Sequence, residues 1–457
     1  MNRVNDLVSS RLFYPILYGL LSTPAHPRWG VRAMAAERIS QMKLPRAEIK
    51  AYLAHRLHQT LVQAMRHCEF YQERFKRAGF TSESDLIMKN LKHIPPLTKK
   101  DVQEHFDELT AKGISQKNWR ENSSGGSTGN PVVLMQDAGY RKEGVAITFV
   151  SDMIQGWNYG NRVGYLWGAQ RDTKTFKGVV GQLRNYLHNR RIYDSFDMGP
   201  AEMRKFHQDL TEFRPHNLIA YASSAFLYAS FLLKEGIKPS YPTVSIITSA
   251  ETLTEEMRLK IEECFGVPVY NRYGSREVGN IASECSCHRG LHLQLDKHIE
   301  VVDSESGSPL VDKPGKILVT LFSNLAMPLI RYDIGDIGIL TDAPCECGIN
   351  SPLLKQVLGR SSDFITSPSG RLIHGEYFTH IFYGHRNIRQ FLFVQETRSR
   401  FNVKIVSMDH MEPGQKDNLL HEIKAVLGDE ADVRIELVDR IPPLPSGKFR
   451  FTVSQIS

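Results

Sequence analysis

The chain has 457 residues, 41% of them apolar and 23% charged, which is enough to bury the cores of two or three domains and unlike a disordered or fibrous composition. Its 57 Lys and Arg stand against 50 Asp and Glu, a formal net charge of only +7 with no long basic run, so nucleic-acid binding is not expected. Of 6 cysteines, Cys68 and Cys264 stand alone while Cys285, Cys287, Cys345 and Cys347 form two Cys-x-Cys pairs, a usage that favours metal in a reducing, cytoplasmic compartment over a disulfide scaffold.

In chain order, the first segment is the apolar run Leu12–Leu21, preceded by Arg3 and Arg11. It imitates a signal-peptide core but contains Pro15 and Gly19, lacks a small-residue cleavage site and is too short to span a bilayer. A docking helix or interfacial segment is expected there, with membrane contact the lesser alternative. Tyr52, Leu53, Leu57, Leu61, Ala64 and Met65 recur at helix spacing and predict a helix from about Ala47 to Gly79, and Thr98 is placed to cap a helix opening at Lys99. Helices and short apolar strands then alternate: a helix near Ala138–Gly156, a strand near Arg162–Trp167, a helix near Met198–Phe213 and a strand near Asn217–Tyr221. A helix near Ala225–Glu235, the strand Val244–Thr248, the helix Thr254–Cys264 and the strand Val267–Tyr270 follow. This alternation predicts an α/β fold with a mostly parallel sheet covered by helices. From Gly290 to about Thr341 shorter strands and turns take over, with Lys316–Leu321 after the turn signal Lys313-Pro314-Gly315. Past Arg360, Asn387–Glu396 and Arg400–Val406 read as paired strands, Gly414–Gly428 as a helix and Asp432–Val438 as a strand. The expected division is a large N-terminal domain over 1–360, with a β-rich subdomain at about 285–350, and a small α+β lobe over 361–457.

Five segments carry candidate chemistry. Ser123, Ser124, Gly125, Gly126, Ser127, Thr128 and Gly129 form a loop ahead of the strand-like Val132–Met135; glycines let backbone N–H groups converge on an anion, and the hydroxyls add rotatable donors to phosphate oxygens. It is not a Walker loop, because the Lys-Ser/Thr ending is missing and a β-type run follows where a helix would be needed. Tyr270–Glu277 follows a strand, where Tyr273 could stack on a base, Gly274 would allow close backbone approach and Glu277 offers a hard carboxylate to Mg²⁺. Asp336, after the turn at Gly335, is suited to accept hydrogen bonds from two sugar hydroxyls. Val357–Ile365, with Gly359-Arg360-Ser361-Ser362-Asp363 at its centre, sits at a composition boundary as ligand contact and hinge, and Ile441–Arg450 presents Lys448 from a glycine turn.

In order and spacing these segments resemble the adenylate-forming superfamily, within it the phenylacetate-CoA ligase and CapK-like branch, over about Leu91 to Arg450. The resemblance implies ATP-dependent activation of a carboxylic acid as its acyl-adenylate with loss of pyrophosphate, followed by transfer to coenzyme A. It assigns Lys448 and Glu277 to catalysis with Mg²⁺ on Glu277, and the loop Ser123–Gly129 with Ala250, Glu251, Tyr273, Gly274, Asp336 and Arg360 to ATP and AMP. The hinge falls at Ser362, where an acidic residue is usual; Asn130 stands in place of a frequent Lys and Ala250 in place of a common Gly. A sugar-linked amine or hydroxyl in surface-polysaccharide synthesis is the alternative acceptor, and a non-catalytic nucleotide-binding scaffold the minor one.

The four cysteines with His288 and His292 supply soft donors suited to tetrahedral zinc. The branch resembles the chain here too, which selects Cys285, His292, Cys345 and Cys347, with Cys287, His288 and His298 as further candidates. Trp157, Trp167, Tyr221, Ser223, Ser224 and Phe226 are candidates for an acyl pocket, although core packing accounts for such residues equally well.

Overall fold

Apolar residues spaced three and four apart make the first described elements helices. The computed structural model describes residues 30–123, 132–167, 185–186, 188–195, 198–360, 364–370, 372–374, 378, 381–382, 387–407, 411, 414–441 and 452–456. They fall into two compact units, the first holding described residues up to 334 together with 338–357, the second holding 335–337 and those from 358 on.

The first unit begins with α1 (Val31–Met42), α2 (Arg46–His67) and α3 (Glu69–Arg77). α2 buries Ile49, Leu53, Leu57, Leu61 and Ala64 on one stripe, and α3 buries Tyr71 and Phe75; burial of one such Leu or Phe contributes roughly 1.5–3 kcal/mol. The single helix expected over Ala47–Gly79 is therefore two. Cys68, fully buried with φ −123° and ψ 113°, separates them. Ala64, Tyr71 and Phe75 stay in helical phase across the break, so the apolar pattern does not mark it. Thr98 does cap α4 (Lys99–Glu104): its hydroxyl accepts from Asp101 N at 3.1 Å while the Asp101 carboxylate accepts from Thr98 N at 2.8 Å. After the short α5 (Phe106–Leu109), β1 (Arg120–Ser123) and β2 (Val133–Gln136) form an antiparallel pair.

Next come α6 (Ala138–Ile154), β3 (Val163–Leu166), β4 (Arg190–Tyr193), α7 (Pro200–Phe213), β5 (Asn217–Tyr221), α8 (Ala222–Lys234), β6 (Ser245–Ser249), α9 (Glu255–Phe265) and β7 (Val269–Ser275). They are followed by β8 (Gly279–Glu284), β9 (Leu291–Leu293), β10 (Lys297–Val302), β11 (Pro314–Leu321), β12 (Tyr332–Thr341) and β13 (Leu353–Arg360). The strands from β3 on make one eleven-stranded sheet in the order β10-β11-β12-β13-β9-β8-β7-β6-β5-β3-β4. β4, β3, β5, β6 and β7 run parallel, and the β7–β8, β8–β9 and β9–β13 pairs are antiparallel. β5 is buried at every residue because the sheet is covered on both faces: Ile219 joins one apolar core with Val163 and Ile247, while Leu218 and Ala220 join the other with Leu166, Ile246 and Val269.

Some boundaries differ from expectation. β4 adds an edge strand not expected from the sequence, and α8 starts three residues before Ala225, which places Ser223 and Ser224 in its first turn. β11 begins at Pro314, so the turn signal there ends in the strand. β7 continues through Tyr273, Gly274 and Ser275, which were expected in a loop after Tyr270.

The second unit contains the hairpin β14 (Phe364–Thr366) and β15 (Leu372–His374), then β16 (Ile388–Gln395), β17 (Arg400–Ser407), α10 (Gln415–Leu427), β18 (Asp432–Leu437) and β19 (Thr452–Ser454). Its four-stranded sheet has the order β18-β17-β16-β19, with the expected β16–β17 pair antiparallel and both flanking pairs parallel. Phe393 stacks on Phe378 with centroids 4.1 Å apart and Phe391 on Phe382 at 4.3 Å, and Leu419 and Ile423 of α10 close that core. Among the described residues no helix is long and apolar enough to cross a membrane. The run Leu12–Leu21 lies outside them.

Candidate functional site

Parallel strands connected by helices end at one edge of their sheet, and that edge gathers several of the expected site residues. Trp167 directly follows β3, Tyr221 ends β5 opposite Ser249 of β6, and Ala250 and Glu251 follow β6. The rings of Trp167 and Tyr221 lie 4.3 Å apart at centroids. Glu251 accepts hydrogen bonds from the backbone N–H of Ser223, at 2.9 Å, and from its hydroxyl, which holds a carboxylate at the N-terminus of α8, where unpaired N–H groups and the helix dipole favour it. Three segments distant in sequence thus meet at the carboxyl ends of adjacent strands, where ligands bind in open α/β sheets. Ala250 occupies the left-handed region, φ 67°. Trp157 is not with them; it stacks on Phe149 at 5.4 Å inside the core.

β7 delivers the next group. Tyr273 and Gly274 sit on the strand, and Glu277 lies in the turn to β8. Gly274 is needed by the hairpin itself: a Cβ there would stand 2.6 Å from the carbonyl oxygen of Gly279 and 3.0 Å from Asn280 Cα. The hairpin thus gives this glycine a structural reason of its own, beside the ligand approach expected from the sequence. Glu277 is only 8% exposed, and no described residue donates a hydrogen bond or ion pair to its carboxylate. Its backbone carbonyl accepts from the Tyr140 hydroxyl of α6 at 3.4 Å. A carboxylate so shielded, with no donor to it among the described residues, fits a hard cation such as Mg²⁺, which would offset the cost of a buried charge. Behind it, Arg272 pairs with Asp152 of α6 and hydrogen-bonds Gln155, all buried. The motif reading included Arg272 without a role; a charge between aromatic residues on an apolar strand was the available signal.

Asp336 lies on β12 and is 6% exposed, and Arg360 ends β13. Ser123 closes β1 opposite Val133. Ser124, Gly125, Gly126, Ser127, Thr128 and Gly129 of the loop, Ser362 of the expected hinge, and Lys448 lie outside the described residues.

A separate cluster forms from Cys285 after β8, His292 on β9, and Cys345 and Cys347 ahead of β13, whose donor atoms all lie within 4.8 Å of one another. Cys285 Sγ is 3.6 Å from Cys345 Sγ, and Cys347 Sγ is 3.1 Å from His292 Nε2. Burial holds the His292 imidazole at about 4, below its ordinary 6.5, so it is neutral and able to ligate at pH 7. Burial pushes the Cys285 thiol up. It acts upward on Cys345 too, but the Cys347 backbone N–H and the thiols of Cys347, Cys285 and Cys287 outweigh it and leave Cys345 below its ordinary value. Three sulfurs and one neutral nitrogen converging at this spacing fit tetrahedral zinc. His288 is engaged elsewhere, stacked on Tyr270 at 5.3 Å with Nδ1 3.1 Å from Glu284, and His298 neighbours Glu300 and Arg331. Cys287 lies at the margin of the cluster.

Known proteins resemble this chain in sequence and in fold. Residues 365–455 match the model of the CapK C-terminal domain. The chain is 24% identical to Protein CapK of Staphylococcus aureus, covering 86% of each chain, and 27% identical to a phenylacetate-coenzyme A ligase of Thermus thermophilus, covering 70% of this chain and 72% of that one. Among solved structures, 2-hydroxyisobutyryl-CoA ligase in the postadenylation state in complex with R3-HIB-AMP superposes with a TM-score of 0.66 at 18% identity, covering 91% of both chains.

Proposed function

We propose, on the premise that this chain has the fold of the adenylate-forming superfamily and carries a CapK C-terminal domain, that it is an AMP-forming acid ligase. It would activate a carboxylic acid with ATP and pass the acyl group to coenzyme A. The observation that carries this reading is the meeting of Trp167, Tyr221, the Ser223–Glu251 pair and Ala250 at the carboxyl ends of β3, β5 and β6, with the shielded Glu277, whose carboxylate has no donor among the described residues, on the next hairpin.

The chemistry requires two anions to meet. A substrate carboxylate attacks the α-phosphorus of ATP, the bond to the bridging oxygen breaks, and pyrophosphate leaves with its electron pair. Mg²⁺ held by Glu277 would supply positive charge to the phosphates. The role of the chain is to fix that carboxylate in a dry turn, to present Asp336 to the ribose hydroxyls, and to add donors from the Ser123–Gly129 loop and the Lys448 ammonium, roles that rest on the motif resemblance. Unit charges 4 Å apart interact by about 4 kcal/mol at an effective dielectric of 20, so one well-placed cation can decide the rate. The aromatic pair Trp167–Tyr221 offers a flat wall suited to an aryl or short acyl group. Capture of the adenylate by the thiol of coenzyme A releases AMP. The Cys285–His292–Cys345–Cys347 cluster would hold structural zinc, pinning the β8–β9 connection to the segment before β13.

A second reading, carried by the motif resemblance alone, passes the acyl group to an amine or hydroxyl on a sugar-linked acceptor. Pyrophosphate release from Mg·ATP across aryl, fatty, hydroxy and amino acids, each with and without coenzyme A, tests both. Acid-dependent release stimulated by coenzyme A supports the thiol ligase; acid-dependent release without stimulation supports the second acceptor; silence across the panel with ATP still bound points to a non-catalytic scaffold. In the active pairing, Lys448→Ala and Glu277→Gln are each expected to slow adenylation about 10²–10³-fold, roughly 3–4 kcal/mol of barrier, with Lys448→Ala leaving ATP binding nearly unchanged.

A further inference from the structure

The β7–β8 hairpin that carries Glu277 is irregular. Its register runs Arg272↔Ser283 and Tyr273↔Ala282, then skips to Gly274↔Asn280 and Ser275↔Gly279, so Ile281 is an extra residue in β8. Such a bulge bends its strand and leaves backbone groups without partners in the ladder, and bulges of this kind re-aim side chains beside functional sites. Here a single short segment catches two consecutive carbonyls at the bulge. Gln294 N donates to Ile281 O at 2.9 Å, and Lys297 Nζ donates to Asn280 O at 2.6 Å.

Lys297 is an unusual choice for this duty. Its side chain is 1% exposed, and its ammonium also meets both carboxylate oxygens of Asp296 at 2.7 and 2.9 Å, with Asp296 equally buried. Glu143 of α6, close enough to act on the Asp296 carboxyl, is itself paired with Arg38 of α1 at 2.7 Å, both buried, so its charge is compensated. Removing two charges from water costs several kcal/mol per ion, so a pair held only for stability would be poorly chosen over apolar residues of similar size. What the ammonium adds is a short, charge-assisted hydrogen bond to a carbonyl that a methyl group could not hold. Asn280 lies directly across from Gly274, whose missing Cβ leaves the two backbones in tight contact. Tyr140 supports the other side of the turn at the Glu277 carbonyl.

We infer that Lys297 is a positioning residue for the metal-binding carboxylate: with Asp296 neutralising it, its ammonium clamps the Asn280 carbonyl at the bulge and so fixes the direction in which the turn presents Glu277. This rests on the reading that Glu277 receives the Mg²⁺ of Mg·ATP.

The test replaces Mg²⁺ with Mn²⁺ and follows its binding to the protein–ATP complex by electron paramagnetic resonance, alongside thermal unfolding and the Mg²⁺ dependence of pyrophosphate release. Lys297→Met is expected to weaken Mn²⁺ binding in the ATP complex about tenfold and to shift the Mg²⁺ midpoint of activity by a similar factor, with metal-free ATP binding unchanged. Should Lys297→Met fail to fold, the double variant Asp296→Asn/Lys297→Met, which removes both charges together, takes its place with the same expectation. A folded variant of either kind with a wild-type Mn²⁺ titration overturns the clamp. Glu277→Gln separates the two layers: if it leaves Mn²⁺ binding intact, the metal reading of Glu277 fails and the role of Lys297 falls with it. If Glu277→Gln abolishes binding while the Lys297 variants do not weaken it, only the clamp is lost.

Discussion

Ala250 and Gly274 pose opposite problems of backbone and side chain. Ala250 takes a left-handed conformation, φ 67°, which costs an L-residue about 1–2 kcal/mol, part of which a glycine would recover against its greater unfolded-state entropy. Ala250→Gly is therefore expected to raise stability by about 0.5 kcal/mol, read as a higher denaturant midpoint with unchanged slope; an unchanged or lower midpoint would mean the strain is absent. Gly274→Ala meets the Gly279 carbonyl oxygen at 2.6 Å, where only backbone can yield, so a loss of about 1–3 kcal/mol is expected in the same titration. Both residues were visible in the sequence as members of ligand-binding motifs. Their physical reasons were not: the need for glycine at 274 comes from the β8 backbone paired against it where the register shifts, and that shift is not written in the linear pattern.

At the scale of elements, α6 underlies the candidate site, carrying Tyr140 toward the Glu277 turn and Asp152 toward Arg272. Its N-cap is Asp137, one oxygen of which accepts from Tyr140 N at 2.8 Å while the other accepts from Leu325 N at 2.7 Å and Ala326 N at 3.3 Å. Asp137→Ala removes the cap and leaves donors of a distant loop without their acceptor. A loss of about 2 kcal/mol in chemical denaturation is expected, against a few tenths for an exposed Asp→Ala elsewhere. The helix itself was legible from its 3.6-residue period. So were α7 and α9 from the same period, and β5, β6 and the β16–β17 pair from short apolar runs bounded by turn residues. The break at Cys68 and the edge strand β4 left no such mark: the first keeps its apolar residues in phase, and the second, Arg190–Tyr193, carries two arginines in four residues.

Across the whole first unit, the Cys/His cluster joins segments far apart in sequence, so its protonation is a stability term for the unit. His292 is held at about 4 by burial, against an ordinary value of 6.5. Between those values the unfolded chain binds the proton that the folded state refuses, so the stability contributed by the neutral imidazole is full above about pH 6.5 and is lost as the pH falls toward 4. Zinc on Nε2 would act in the same direction, since a ligating imidazole must be unprotonated. Unfolding midpoints and bound zinc, measured from pH 7 to 4.5, are expected to fall together, and Cys285→Ser should lower both at pH 7. Bound zinc that survives at pH 4.5 with an unchanged midpoint would rule the cluster out as the acid-sensitive element.

The α/β alternation and the two Cys-x-Cys pairs with histidines near the first were readable from residue types and spacing, because metal ligation and sheet burial each demand particular side chains at particular intervals, whereas the joint reading of the motifs and the selection of Cys285, His292, Cys345 and Cys347 came from the family resemblance. Spacing says nothing about which strand lies beside which. That Trp167 meets Tyr221, that Glu251 caps α8 through Ser223, that Glu277 is left without a described partner and that Lys297 reaches the bulge in β8 were decided by the order of the sheet alone, since contacts between residues far apart in sequence exist only once strands have chosen their neighbours and register.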